Sequence, residues 1–373
     1  MARYNPYELT AAEHDRRYKS LAEEAFYGTE PQERPRAVIT GGQPASGKGT
    51  LASNAVNELA GEGGAVKIDA DDLRDWHPSY AALQRENDRE AASLVHPDAA
   101  KWAKRLTDDA IEARRNLVID QTSRSPEALI ARTQQLREAG YHVELRVMAV
   151  NSETSQQRVY TRYEGQKADD GVGRFVPKEV HDEAYSGLPE SISAVERAKS
   201  VDAIKVYNKY QERIHEDTLH NGRWGLEPPR ARVILDAERN RSLSIHDLRE
   251  LSEGFNKISE SMAKRGAEPA EREEIEALRL RAERRYAAET FRQLPKEEAL
   301  KTHPQLERYY AAVDGMAAKI KEDGLSAEAQ RIVLDRARYN VAAAVEQGKA
   351  PPYPAREAQA APPEKAPEKD LDR

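Results

Sequence analysis

Nine residues, Gly42-Gln43-Pro44-Ala45-Ser46-Gly47-Lys48-Gly49-Thr50, carry the clearest chemical signal in the chain. Gly42 and Gly47 stand at the spacing that frames a phosphate-binding loop, whose inward-turned N–H groups hold anionic oxygens at a helix N-terminus. All nine are therefore expected to bind the nucleotide cofactor, ATP. Lys48 is placed to bring a mobile positive charge to the β- and γ-phosphates, and Thr50 to approach Mg²⁺ directly or through water. Chemistry on a hydroxyl acceptor also needs a carboxylate to take its proton. Asp71, in Asp69-Ala70-Asp71-Asp72-Leu73-Arg74, is the candidate. At least one of these aspartates is expected to cap the following helix. Asp120 ends the apolar run Leu117-Val118-Ile119 and is the second candidate metal contact, with Thr122 and Arg124 following on the same rim. Arg162 and Arg174 flank the Gly/Asp-rich stretch 169–173 and suit a lid whose cations offset charge on a transferring phosphoryl group.

These groups need a sheet to hold them. Residues 36–41 read as a short buried strand and 50–60 as the helix after the loop. Further strands are expected at 65–69, 116–120, 141–150 and 201–207, with helices at 80–114, 126–139 and 177–199 between them. This alternation predicts an α/β, P-loop NTPase-like parallel sheet flanked by helices. Ligands then sit beyond the carboxyl ends of the strands, where Asp71 and Asp120 fall. Residues 8–27 read as a helix opened by a Thr10/Glu13 capping box. It is expected to pack outside the sheet, with control of nucleotide access as the alternative. His77-Pro78 is expected to shape a turn rather than bind metal.

Composition narrows the classes. The chain has 373 residues, 58 Lys and Arg against 65 Asp and Glu, and a net charge of -7. With a sequence pI near 5.9, this argues against a general nucleic-acid binder. No cysteine is present, so there is neither a disulfide nor a thiolate metal site, which suits a cytoplasmic protein. Mean hydropathy is -0.84. No apolar run approaches a membrane span and no signal peptide is expected. The expected organisation is an N-terminal helical region 1–35, a kinase domain 36–215, a linker 216–243, an all-α accessory domain 244–348 and a disordered proline-rich tail 349–373. Breaks between accessory helices are expected near Gly266–Pro269, Pro295, His303-Pro304 and Gly324.

Across residues 10–215 the ordered motifs resemble those of the zeta toxin family of kinases. They are Gly-Gly-Gln-Pro-x-x-Gly-Lys from Gly41, Ile-Asp-x-Asp-x-x-Arg-x-x-His-Pro-x-Tyr from Ile68, and Asn-Leu-Val-Ile-Asp-x-Thr from Asn116. Gly140-Tyr141, Arg162-Tyr163-Glu164, Arg174 and Pro177 to Asp182 complete the set. The resemblance implies ATP-dependent phosphorylation of the 3′-hydroxyl of UDP-N-acetylglucosamine. By this likeness Lys48 holds the ATP phosphates, Asp71 activates the sugar hydroxyl, and Arg162 and Arg174 stabilise the transition state. Asp71, Arg74, Thr122 and Arg124 face the substrate. It also implies a restraining partner, either a separate antitoxin or the 8–27 helix in cis. Two positions depart from the family pattern: Asp120 stands where members carry Glu, and Lys104 aligns with a substrate-contacting Glu of some members, with Asp108 nearby as a substitute. The C-terminal helices bear a faint likeness to parts of conjugative relaxases. Two other readings stay open: a kinase of another nucleotide or small-molecule hydroxyl, and a non-catalytic nucleotide sensor in plasmid mobilisation.

Overall fold

The computed structural model describes residues 5–353. The elements run α1 (Ala11–Phe26), β1 (Arg36–Gly41), α2 (Lys48–Leu59), β2 (Val66–Asp69), α3 (Tyr80–Glu112), β3 (Leu117–Asp120), α4 (Pro126–Glu138), β4 (His142–Met148), α5 (Ser152–Asp170) and α6 (Lys178–Ala198). They continue with β5 (Ala203–Tyr207), β6 (Arg213–His220), β7 (Arg223–Trp224), α7 (Ala231–Asn240), α8 (Ile245–Lys264), α9 (Pro269–Gln293), α10 (Lys296–Thr302), α11 (Glu307–Glu322) and α12 (Ala327–Gln347). A 3₁₀ turn, Asp72–Trp76, lies between β2 and α3.

The seven strands form one sheet in the order β2-β3-β1-β4-β5-β6-β7. The first five pair in parallel, and β6 and β7 are antiparallel additions at one edge. Successive residues of a strand face opposite ways, and this parity decides what each face holds. Ala37, Ile39, Ile68, Leu117, Ile119, Leu145 and Val147 build the larger core, shared with α1, α3, α4 and α6. Val38 and Val118 turn the other way, against Ala52, Ala55 and Leu59 of α2.

Among the described residues two compact units emerge: the chain up to 242 with 254–268, and 243–253 with the chain from 269 on. The 216–243 stretch, expected as a linker, is part of the first unit. It holds the end of β6, the Asn221-Gly222 hairpin, β7 and α7. Trp224, Ala231 and Leu235 belong to the main core, and the Trp224 indole N–H bonds to the Glu196 carbonyl at 2.9 Å. The apolar spacing in Ala231–Leu235 buries one side of α7, which a loop reading overlooks. In the second unit, Ala288, Phe291, Leu306, Tyr309, Val341 and Val345 form a separate helical core. The expected breaks are present, at Gly266 in the first unit and at Pro295, His303-Pro304 and Gly324 in the second. Most of the proline-rich tail expected from 349, residues 354–373, lies outside the described residues.

α1 is a packing helix. Its capping box is formed, and Tyr18 and Leu21 are buried in the main core. His14 stacks on Trp102 of α3, and the Trp102 N–H donates to the His14 carbonyl at 3.1 Å. Arg17 donates to the carbonyl of Trp76 at 3.1 Å. His77 also serves packing: its ring nitrogens meet the Tyr7 carbonyl and the Ser79 N–H. Trp102 is fully buried and joins α1 to α3. Trp102→Ala is expected to destabilise the first unit by about 3–5 kcal/mol, since the freed volume cannot be refilled. Chemical denaturation would show this as a lower midpoint at unchanged slope, and a loss under about 1 kcal/mol would refute the packing role.

Candidate functional site

Strand parity builds the site. Thr40, Asp69 and Asp120 are each one residue past a core-facing Ile, so all three turn to the α2 face at the carboxyl ends of β1, β2 and β3. Asp69 and Asp120 are direct register partners. The Thr40 hydroxyl donates to Asp120 Oδ1 at 2.8 Å. Lys48, first residue of α2, lies with Nζ 3.2 Å from the same oxygen. The loop between β1 and α2 holds two left-handed residues, Ala45 at φ 59° and Gly47 at φ 100°. Gly47 N-caps α2. A Cβ there would be strained and 2.7 Å from the Gln211 amide nitrogen. Such alternation turns successive N–H groups toward one point, as a phosphate cradle requires.

The loop is braced from behind. Gln43 is fully buried with its side chain turned inward. Its amide donates to the Val150 carbonyl at 2.9 Å and Ser155 Oγ at 3.0 Å, and its carbonyl accepts from Arg239 Nη2 at 2.8 Å. The Gln43 side chain is thus committed to the core, which leaves only its backbone to the expected cradle. Ser155 Oγ is 2.8 Å from His181 Nε2, and His181 Nδ1 is 2.9 Å from Asp182. Arg239 lies over the Tyr185 ring at 4.3 Å and donates to the Tyr185 carbonyl. Burial lowers its guanidinium to about 10, so it remains charged near neutrality. Pro44 is half-buried, Ser46 is buried, and Gly49 and Thr50 are exposed on the first turn of α2.

Asp71 begins the 3₁₀ turn, but its side chain caps no N–H. Its backbone N–H donates to Asp69 Oδ1 at 2.8 Å. One carboxylate oxygen is held by Arg74, and the other lies 2.5 Å from Arg174 Nη2. Arg162 joins the cluster from α5. Burial lowers its guanidinium, as does neighbouring Arg74, against the pull of Asp69. Burial likewise lowers Arg174, again opposed by Asp69. Asp72, an alternative capping residue, pairs with Lys67 at 2.8 Å on the surface. The structure thus brings Lys48, Asp120, Asp71, Arg74, Arg162 and Arg174 around Asp69. Thr122 contributes its carbonyl, which accepts from the Gly42 N–H at 3.2 Å. The Arg124 side chain reaches outward to exposed Glu183 at 3.0 Å. Lys104 and Asp108 pair with each other at 2.7 Å on exposed α3. Asp108 also accepts from Gln135 of α4 at 3.2 Å.

Asp69 is the site residue sequence reasoning left aside. Burial, then the neighbouring Asp120 carboxylate, push it up to about 6, while Lys48 and Arg174 pull it back. Its period-two match to Asp120 was the available signal. A divalent cation fits the paired carboxylates: Asp69 and Asp120 offer hard oxygens on adjacent strand ends beside the loop.

The family model described as zeta toxin matches residues 20–220. The chain is 28% identical to the zeta toxin of Enterococcus hirae, over 62% of this chain and 78% of that protein. It is 30% identical to the zeta toxin of Streptococcus agalactiae, over 57% of this chain and 71% of that protein. Toxin PezT of Streptococcus pneumoniae is 27% identical over 51% and 74%, respectively. A solved structure from the PezAT chromosomal toxin–antitoxin system of that organism shares the fold, with a TM-score of 0.59 at 23% identity. It covers 68% of this chain and 98% of its own.

Asp69 generates a pH signature. Its folded value lies above the ordinary 3.8, so ionising it opposes folding: the penalty is absent below about pH 4 and complete above about pH 7. Asp69→Asn keeps the acceptor for the Asp71 N–H. In nucleotide-free, EDTA-treated protein it is expected to raise stability near pH 8 by up to about 3 kcal/mol, two pKa units' worth, with the gain vanishing near pH 4. Denaturation midpoints at the two pH values read this out; an equal gain at both would contradict it.

Proposed function

The chain belongs to the zeta toxin family, and from that membership we propose an ATP- and Mg²⁺-dependent kinase. It transfers the γ-phosphoryl group to the 3′-hydroxyl of UDP-N-acetylglucosamine or a related sugar nucleotide. The observation that carries the reading is the state of Asp71, a carboxylate free of any capping duty and bracketed by Arg74 and Arg174. It stands two residues from Asp69, whose register partner Asp120 meets Lys48.

On this reading the nucleotide phosphates enter the cradle at Ala45–Lys48, and Lys48 exchanges Asp120 for phosphate oxygens. Asp120, Asp69 and Thr50 would hold the Mg²⁺, which would supply positive charge to offset that of the phosphates. Arg174 and Arg162 turn toward the transferring group, where cations in a dry site offset developing charge. That releases Asp71 to accept the acceptor hydroxyl's proton at a carboxylate oxygen while the hydroxyl oxygen attacks phosphorus. Arg74 keeps Asp71 aimed. Thr122 and Arg124 line the acceptor rim.

The protein acts in the cytoplasm, where sugar nucleotides are made, as the toxin of a toxin–antitoxin pair. Among the described residues no helix is long and apolar enough to cross a membrane. Restraint falls to a separate antitoxin rather than to the 8–27 helix, since α1 spends its contacts on α3 and Trp76.

The decisive measurement combines labelled ATP with a panel of UDP-sugars and mass spectrometry of metabolites after induced expression. A phosphorylated UDP-N-acetylglucosamine is expected. Asp71→Asn is expected to lower kcat by about 10²–10⁴-fold with ATP affinity nearly unchanged. A nucleotide sensor, by contrast, would lose nothing on this substitution. Turnover with other hydroxyl acceptors but no UDP-sugar would reassign the substrate.

A further inference from the structure

Two catalytic arginines in the proposed reaction come from different places, Arg162 from α5 and Arg174 from the 171–177 connection between α5 and α6. We propose that Asp88 is a positioning residue that sets both, by bonding the residue beside each. The proposal rests on the reading of Arg162 and Arg174 as the cations that offset charge on the transferring group.

The geometry begins with a defect in α3. Asn87 leaves helical conformation, at φ -153° and ψ 92°, and its side-chain oxygen accepts the Arg89 N–H at 3.2 Å, restarting the helix. The break turns Asp88 inward, where it is buried. Asp88 Oδ1 accepts from the Tyr163 hydroxyl at 2.9 Å. Oδ2 accepts the Gly173 N–H at 2.9 Å. Lys167 Nζ lies 3.1 Å from Oδ2 and donates to the Tyr163 hydroxyl at 3.0 Å. The buried carboxylate therefore has both a countercharge and filled acceptor sites, which a lone buried charge would lack.

Tyr163 follows Arg162 in the chain, and Gly173 precedes Arg174. One carboxylate thus grips the neighbour of each arginine. The connection is tethered at each of three successive residues. The Arg174 N–H bonds to Gln166 Oε1 at 2.8 Å. Phe175 packs edge-on to Tyr163 at 5.3 Å and under the Arg89 guanidinium at 4.4 Å. Gly173 lies so close to Tyr163 that a Cβ would fall 2.5 Å from the ring. An arginine on an untethered seven-residue connection must be ordered anew in each catalytic cycle. Here that ordering is built in before substrate arrives, which is where positional catalysis gains most.

Asp88→Asn is the primary variant. It keeps volume and one acceptor, but its amide either opposes the Gly173 N–H or forces the Tyr163 hydroxyl to reverse and accept. In both poses Lys167 loses its countercharge, and a neutral, weaker acceptor replaces the carboxylate that holds the tethers. Tyr163→Phe removes one tether without touching the carboxylate. With full-length protein, ATP and UDP-N-acetylglucosamine, Asp88→Asn is expected to lower kcat by about 10–10²-fold, the scale of an ångström-level misplacement. KM for ATP should stay within about threefold, because the phosphate cradle is untouched. Tyr163→Phe should act in the same direction by a smaller factor. Hydrogen exchange needs no substrate: the Gly173 and Arg174 amides should lose protection in Asp88→Asn while β1 and β4 amides keep theirs. In an Arg162→Ala/Arg174→Ala background, Asp88→Asn should remove nothing further.

A kcat within twofold of the parent, unchanged Gly173 exchange, or a full further loss in the double-arginine background would each overturn the proposal. The underlying reading fails separately. If Arg162→Ala and Arg174→Ala retain full kcat, that reading falls and takes the proposal with it. If both arginine variants are inactive and Asp88→Asn is active, the proposal falls alone.

Discussion

Two carboxylates on adjacent strand tips dominate this structure. Asp69 and Asp120 are register partners, and strand parity leaves them no choice but to face the same side. Burial on the rim of the core, and then the Asp120 carboxylate beside it, raise the cost of ionising Asp69 and push it up. The surrounding cations answer that charge: Lys48 from the loop, and Arg162 and Arg174 from α5 and the connection beyond it. Without nucleotide the site neutralises itself. On the proposed reading, an incoming polyphosphate would meet cations already assembled, and the carboxylates they leave would be open to a divalent ion. A single electrostatic constraint thus explains why the site has both a basic and an acidic half.

The cations must also be held still, and buried polar contacts do this from behind. On the loop side, Gln43 is locked by Val150, Ser155 and Arg239. Arg239 lies beyond residue 220, where the family match ends, yet it reaches the middle of the phosphate loop. It is a buried cation held by carbonyl oxygens and an aromatic face, so its charge is only partly answered. That leaves positive potential beneath the loop, an arrangement that favours an anion above it. On the lid side, Asp88 plays the corresponding part with opposite charge. Both braces are short-range and buried, where polar contacts are strongest.

The sequence carried the strand–loop–helix and its lysine because these are local: spacing and flanks are contiguous, and the backbone follows. Asp71 and the two arginines were also legible, since their positions follow from where strands end and a glycine-rich stretch begins. Asp69 was within reach of a parity count, but its neighbour Asp71 drew the chemical role. Arg239 and Asp88 were not legible. Each acts over a long separation in the chain, and neither stands in a motif; an Asp after an Asn in a charged helix looks like a solvated face. The role of the Gln43 side chain was not legible either. A place inside a motif suggested ligand contact, whereas burial turned the side chain to structure. The expected linker 216–243 failed for a related reason: β6, β7 and α7 are short, and their apolar positions become visible only against a sheet edge.

The departures from the family pattern bear on the two halves of the chemistry unequally. Asp120 is shorter than the Glu the resemblance leads one to expect, but Thr40 and Lys48 both reach its Oδ1, so the carboxylate is held near the strand and the charge frame closes around it. The acceptor side has no such compensation. Lys104 is spent on Asp108 in an exposed pair, and Asp108 ties α3 to α4 through Gln135, so neither side chain reaches toward Asp71. Arg124 is likewise turned to Glu183 at the rim. Phosphoryl transfer depends on groups crowded within one buried cluster, where a change at one position is absorbed by its neighbours. Acceptor choice depends on exposed side chains that are free to differ, so within one shared charge frame it is the acceptor surface that can diverge.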